Sequence, residues 1–240
     1  MTLDNRESSF RMTMHMSRIR NTLLALAAAL FSGCTTDLPT SAGGSNRLHD
    51  PILFVHGFLG GSADWSDMIS RFKADGWRDD ELYAYNYSSI TSNAASAAEV
   101  RDQINDILAR TGATKVDIIS HSMGGLSSRY YLKNLGGQSH VDAWVSLGGP
   151  NHGTDTADQC SFTPCLEMRI GSAFLTALNA GDETPGFPRY ATWWSPCDAT
   201  INPDSSVPLA GATNTQTACL AHNQLPTDAA IYQQVRDWVK

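Results

Sequence analysis

The sequence predicts an α/β fold, a mostly parallel sheet with helices on both faces. Three observations carry this. From residue 51 short apolar runs alternate with segments of helical period. The runs are continuously apolar rather than alternating, as in strands buried on both faces. No internal repeat or second-domain linker interrupts residues 51–240, which are read as one domain.

The elements follow in order. "PILFVH" at 51–56 is a short apolar run ending in His-Gly, a buried strand. Residues 63–75 read as a helix, and the aromatic-rich "LYAYNY" at 82–87 as a strand. The clearest helix spans 93–111: Val100, Ile104, Ile107 and Leu108 recur at helical spacing, and Gly112 stands at the capping position. "KVDIIS" at 115–120 is a strand, 123–135 a helix stopped by Gly136-Gly137, and "VDAWVSLGG" at 141–149 another strand. Beyond residue 150 the pattern loosens into long polar loops. A strand at 189–195 and a helix at 228–239 close the domain.

Residues 1–33 read as a signal segment outside this fold. "RIR" at 18–20 is a short basic region, and "TLLALAAALF" at 22–31 is too short to span a bilayer. The polar stretch before Met12 makes Met12, Met14 and Met16 alternative starts. "FSGC" resembles a bacterial lipobox, with Phe31 where leucine is usual, so Cys34 is the candidate for lipidation and for membrane anchoring. Ordinary signal cleavage nearby is the other reading. Residues 34–50, rich in Ser, Thr, Gly and Pro, form a tether. The expected location is outside the cytoplasm, as a secreted protein or a lipoprotein of a bacterial envelope.

The 240-residue chain carries a formal net charge of −7. Its first 33 residues hold four arginines against two acids, so the remainder carries −9. An acidic chain with no basic stripe argues against nucleic acid as a partner. With Cys34 set aside, Cys160, Cys165, Cys197 and Cys219 form an even set in an exported chain. Two disulfides are expected, Cys160–Cys165 and Cys197–Cys219 being favoured among three pairings. A metal site is the weaker alternative, because no CxxC spacing occurs.

"VDIISHSMGG" at 116–125 raises the functional question. Its apolar run ends in Ser122, with glycines behind it and a helix to follow. In a parallel sheet reactive groups lie past the carboxyl ends of strands. Strand, sharp turn with serine, then helix is the nucleophile elbow of α/β-hydrolases. The residues two before and two after the serine must be small, because the turn packs them against each other. Gly124 meets this, and Ser120 stands where glycine is usual. A serine hydroxyl needs a base, and the base an orienting acid, in the chain order Ser, acid, His. This removes His15, His49, His56 and His121. His140 precedes a strand and lies at the wrong edge. His152 comes early and is read as a loop residue shaping the site. His222, before the last helix, is the candidate base. Asp198, after "YATWW", is the candidate acid, with Asp204 as runner-up.

The cysteines bear on this choice. Cys197 adjoins Asp198 and Cys219 lies three residues before His222, so one disulfide would staple the acid loop to the base loop. An oxyanion hole needs two backbone N–H groups, for which Phe58 in "VHGF" and Met123 are the candidates. Trp193 and Trp194 either line an acyl pocket or pack in the core.

"PILFVHGFLGGSADW", "KVDIISHSMGG" and "VSLGGPNHGT" together resemble the small secreted bacterial lipases and esterases of the lipase class 2 family, over residue 50 to the C-terminus. The resemblance implies an α/β-hydrolase with a minimal lid or none, Ser122 as nucleophile, and Phe58 and Met123 as oxyanion donors. The expected function is hydrolysis of carboxylic esters, of triacylglycerols or smaller esters, by a monomer without cofactor or metal. A hydrolase or acyltransferase for another carbonyl compound, such as a polyester or amide, and a non-catalytic surface binding protein of the same fold are the alternatives.

Overall fold

The computed structural model describes residues 48–240. Residues 1–33 and the candidate lipidation site Cys34 lie outside the described residues, as does nearly all of the 34–50 tether. Six strands form one sheet in the order β2-β1-β3-β4-β5-β6, every neighbouring pair parallel. They are β1 (Ile52–Val55), β2 (Leu82–Ala84), β3 (Val116–His121), β4 (Val141–Leu147), β5 (Arg189–Trp194) and β6 (Thr213–Gln216). The helices are α1 (Ser66–Ala74), α2 (Asn93–Thr111), α3 (Gly124–Asn134), α4 (Thr163–Met168), α5 (Ala173–Asn179) and α6 (Ala229–Trp238).

Both faces of the sheet are covered, which explains the unbroken apolar runs. Successive side chains of a strand point to opposite faces. Ile52, Phe54, Ile119 and Val145 pack with Met68 and Phe72 of α1 and with Ile231 and Val235 of α6. Leu53, Val55, Ile118 and Trp144 pack with Val100, Ile104 and Ile107 of α2 and with Tyr131 and Leu132 of α3. The long helix α2 has caps at both ends. Ser92 Oγ accepts the Ala95 N–H, and Gly112 takes φ +68°, a backbone that glycine adopts without strain.

Departures from the expected elements have local causes. β2 stops at Ala84 rather than running to residue 87, because its partner β1 ends at Val55 and turns into the His56-Gly57 loop. α4 and α5 lie in the region expected to be irregular. They are six and seven residues long, too short to show a helical period. β6, "TNTQ", is polar and largely exposed, an edge strand without an apolar face. The β4–β5 excursion that carries α4 and α5 is fastened by distant anchors. Glu167 Oε2 accepts from Asn93 N and Nδ2 at 2.6 and 2.8 Å. Lys133 Nζ donates to the carbonyls of Leu178, Ala180 and Asp182. The fully buried Arg129 donates to Asn151 and Asn179.

α3 begins directly against β1. A side chain on Gly124 would place its Cβ 2.4 Å from the Val55 carbonyl oxygen and 2.6 Å from that of His56. These are backbone atoms of the central sheet and cannot yield. Gly124→Ala is therefore expected to destabilise the fold by about 1–3 kcal/mol, read as a lower midpoint in urea unfolding.

At the opposite, amino-terminal edge of the sheet, Asp117 is buried and accepts the Ala143 N–H at 2.9 Å. Burial, then the nearby carboxylates of Asp50 and Asp142, push its carboxyl well above the usual range. A proton held more tightly in the folded state stabilises it fully below the unfolded carboxyl pKa of about 3.9. That stability is lost as pH rises through the folded-state value. Asp117→Asn keeps the acceptor and cannot ionise, so its melting temperature should fall less than that of the wild type between about pH 4 and pH 8.

Candidate active site

Ser122 follows β3 with φ +55°, a left-handed backbone uncommon for a residue with a side chain. The turn is pinned on both sides. Ser122 N–H donates to Leu147 O at 2.9 Å, and Gly125 N–H donates to Ser122 O at 3.0 Å. The early His-Gly loop approaches so closely that a Cβ on Gly57 would sit 2.7 Å from Ser122 Cβ. Ser120, in place of the usual glycine, is fully buried and donates its hydroxyl to Val145 O at 2.7 Å. β1 thus requires glycine at 124, while Ser120 is tied to β4 by its hydroxyl.

Asp198 follows β5, and His222 lies in the loop before α6. Both are buried, with Asp198 Oδ2 2.7 Å from His222 Nδ1. The other carboxylate oxygen accepts the Thr200 and Ile201 N–H groups at 2.9 and 3.0 Å. Burial raises the Asp198 pKa, but the hydrogen bond and charge of His222 and the two backbone donors outweigh it, and the net shift is downward. A carboxylate so held accepts the hydrogen bond of Nδ1–H, which keeps the proton on Nδ1 and leaves Nε2 as the basic nitrogen of the ring.

The loops that carry Asp198 and His222 are joined twice. The Cys197–Cys219 disulfide brings their Cα atoms to 5.0 Å. The buried Ser195 hydroxyl donates to Leu220 O at 2.7 Å and accepts the N–H groups of Cys197 and Leu220 at 3.1 and 2.8 Å. Cys160 and Cys165 form the other disulfide, so both favoured pairings are present.

Ser122 and His222 line one cavity of about 680 Å³. Phe58, Ala157, Met168 and Ile201 contribute apolar wall, and Asp64, Asp67 and Asn223 polar wall. Met123 is buried as the N-cap of α3, the residue directly after Ser122. Serine hydroxyl, imidazole and carboxylate in this order can carry out nucleophilic acyl transfer.

The remaining candidates sit elsewhere. Asp204 opens a short 3₁₀ turn and His222 pairs with Asp198 instead. His140 precedes β4 at the far edge. His152 is tied to Glu183 Oε1 at 2.9 Å and to Ser206 O at 3.1 Å. Trp193 belongs to the core, its indole N–H donating to Gln234 Oε1 at 2.6 Å. One residue that chain order had set aside does belong to the site. His121 Nε2 donates to the His222 carbonyl at 3.1 Å, the two rings lying 4.5 Å apart. Burial, then the adjacent His222, push its pKa down to about 3, so it remains a neutral donor. Its position directly before Ser122 was the available signal.

Comparison with known proteins agrees with this architecture. The triacylglycerol lipase of Pseudomonas fragi is 30% identical over 152 residues, which cover 56% of this chain and 50% of that one. That of Vibrio cholerae is 29% identical over 145 residues, covering 57% and 45%. The chain spans about half the length, or less, of the curated relatives it matches. Bacillus licheniformis lipase BlEst2 in mature form superposes with a TM-score of 0.71 at 18% identity, over 82% of this chain and 96% of that one, a likeness of fold. Aspergillus fumigatus lipase B gives 0.67 at 17% identity, over 81% and 53%. Residues 49–235, which carry the whole sheet, both disulfides and all the site residues above, match the family described as Lipase (class 2), and the chain belongs to that family.

Proposed function

We propose that this chain is an exported serine hydrolase that cleaves carboxylic esters, with Ser122, His222 and Asp198 as its triad. The observation that carries the reading is that His222, paired with Asp198 at 2.7 Å, lines the same cavity as Ser122 in its left-handed turn. Ser122 Oγ attacks the ester carbonyl as His222 Nε2 takes its proton. The tetrahedral oxyanion is held by the Phe58 and Met123 N–H groups, the latter at the positive end of α3. The imidazolium, stabilised by Asp198, returns the proton to the departing alcohol. Water activated by His222 then cleaves the acyl-enzyme. The chain's own residues supply every group in this sequence, with no cofactor and no second subunit.

Lipid esters are the favoured substrates. The relatives from Pseudomonas fragi and Vibrio cholerae are triacylglycerol lipases. Apolar surface suited to a lipid phase is also exposed at the cavity: Leu59 of its lining is 71% exposed, and Phe162, whose ring lies 6.1 Å from that of the lining residue Phe58, is 51% exposed. Export is supported by the two disulfides. Among the described residues no helix is long and apolar enough to cross a membrane. Anchoring through an acylated Cys34, behind a signal of residues 1–33, belongs to the proposal and falls outside the described residues.

Ser122→Ala should abolish hydrolysis of p-nitrophenyl esters while keeping the wild-type melting temperature, and a variant that still turns over would refute the mechanism. Asp198→Asn should lower kcat by about 10³–10⁴-fold, by analogy with removal of a triad acid elsewhere. A series of esters of rising chain length, assayed below and above solubility, separates lipase from esterase. Cys197→Ser should shorten the half-life of activity on heating, since closing a loop of about 20 residues contributes roughly 3 kcal/mol. Unchanged thermal inactivation would remove the staple from the account.

A further inference from the structure

The stretch that leaves the sheet after β2 has a second use. Residues 86–89, "NYSS", lie along the His56–Ser62 loop and meet it in five contacts. Asn86 Oδ1 accepts the Ser62 N–H at 2.7 Å. Tyr87 N–H faces His56 Nε2 at 3.4 Å, and Tyr87 OH donates to the His56 carbonyl. The Tyr87 ring stacks on the His56 imidazole with centroids 4.0 Å apart. Ser89 Oγ, buried, accepts the Leu59 N–H at 2.8 Å.

Leu59 is the telling residue. Its φ is +56°, and among the described non-glycine residues only Ser122 shares a positive φ. Its side chain is exposed, so core packing does not hold it in this conformation. Such backbone strain persists only where the surroundings impose it, and it clusters at functional sites. Phe58, beside it, is the oxyanion donor of the proposed mechanism. The direction of an N–H is opposite to that of the C=O in the same trans peptide. The carbonyl paired with the Phe58 N–H is Gly57 O, which accepts Gly60 N–H at 3.2 Å and His56 Nδ1–H at 2.9 Å. With its Nδ1 proton so placed, His56 presents Nε2 as acceptor to the Tyr87 N–H. One neutral tautomer satisfies both bonds.

We propose that Tyr87 and Ser89 are positioning residues that clamp the oxyanion loop, fixing the Gly57–Phe58 peptide from one side through His56 and from the other through the strained Leu59. The proposal rests on the serine-hydrolase reading of the same site. The clamp sets where the Phe58 N–H points, so it acts on the transition state more than on the bound ester.

The test compares Ser89→Ala, Ser89→Thr and Tyr87→Phe with the wild type on a soluble p-nitrophenyl ester, with inhibition by an alkylboronic acid and thermal unfolding followed alongside. The boronate forms a tetrahedral adduct on the serine and so reports on the oxyanion hole. Ser89→Ala should lower kcat about tenfold, less than loss of a whole oxyanion donor, with KM nearly unchanged and boronate inhibition weakened by a similar factor. Ser89→Thr, which keeps the hydroxyl, should restore both. Wild-type kcat and boronate affinity in Ser89→Ala would overturn the clamp even if its melting temperature falls, because that outcome marks a purely structural role. If Ser89→Ala does not fold, Tyr87→Phe decides by the same readouts. Failure of the underlying reading is distinct: there the boronate does not inhibit the wild type, and Ser122→Ala keeps wild-type activity.

Discussion

The whole site depends on a backbone constraint, the left-handed turn that ends β3 at Ser122. A serine at φ +55° costs on the order of 1–2 kcal/mol relative to an ordinary conformation, so its neighbours must enforce it. Val55, Ser120, Ser146 and Thr192 stand in register across β1, β3, β4 and β5, a row of small or β-branched residues just beneath the turn. Gly57 and Gly124 let the β1 loop and α3 approach from either side. A parallel sheet with both faces buried supplies the rigidity. In exchange, the hydroxyl stands past the carboxyl end of the sheet, where loops from four strands can reach it.

Those loops are less regular than the sheet, and each is held by its own fastening. The Asp198 and His222 loops share a disulfide and the Ser195 hydroxyl. His222 is held at its ring by Asp198 and at its carbonyl by the neutral His121. The early loop rests on Asn86–Ser89, and the β4–β5 excursion on Asn93, Arg129 and Lys133. Most of these are buried or part-buried polar contacts, which stabilise little on balance but are costly to break where no water can replace the lost partner. They favour a single arrangement of the reactive groups over a set of related ones.

This division explains what was legible in the sequence. β1, β3, β4 and α2 were readable because their signals are local: apolar runs, a helical period, a capping glycine. Ser122 came with them, at the junction of a strand and a helix. Asp198 and His222 followed from chain order and the nearby cysteines. α4, α5 and β6 were not readable, because contacts far along the chain specify them, such as Glu167 with Asn93. Tyr85 and Tyr87 suggested more strand than exists, since aromatic content cannot show that the partner strand ends at Val55. The place of His121 beside His222 was hidden for a related reason. Chain order excludes it as the base but says nothing of what it supports.

The central claim is that Ser122 Oγ is the atom that takes the acyl group. Its most direct measurement is mass spectrometry of the digested protein after reaction with a fluorophosphonate probe. The account predicts a single stoichiometric adduct on the peptide containing Ser122, absent when the protein is unfolded before labelling. A native protein that is not modified, or an adduct on another residue, would contradict it.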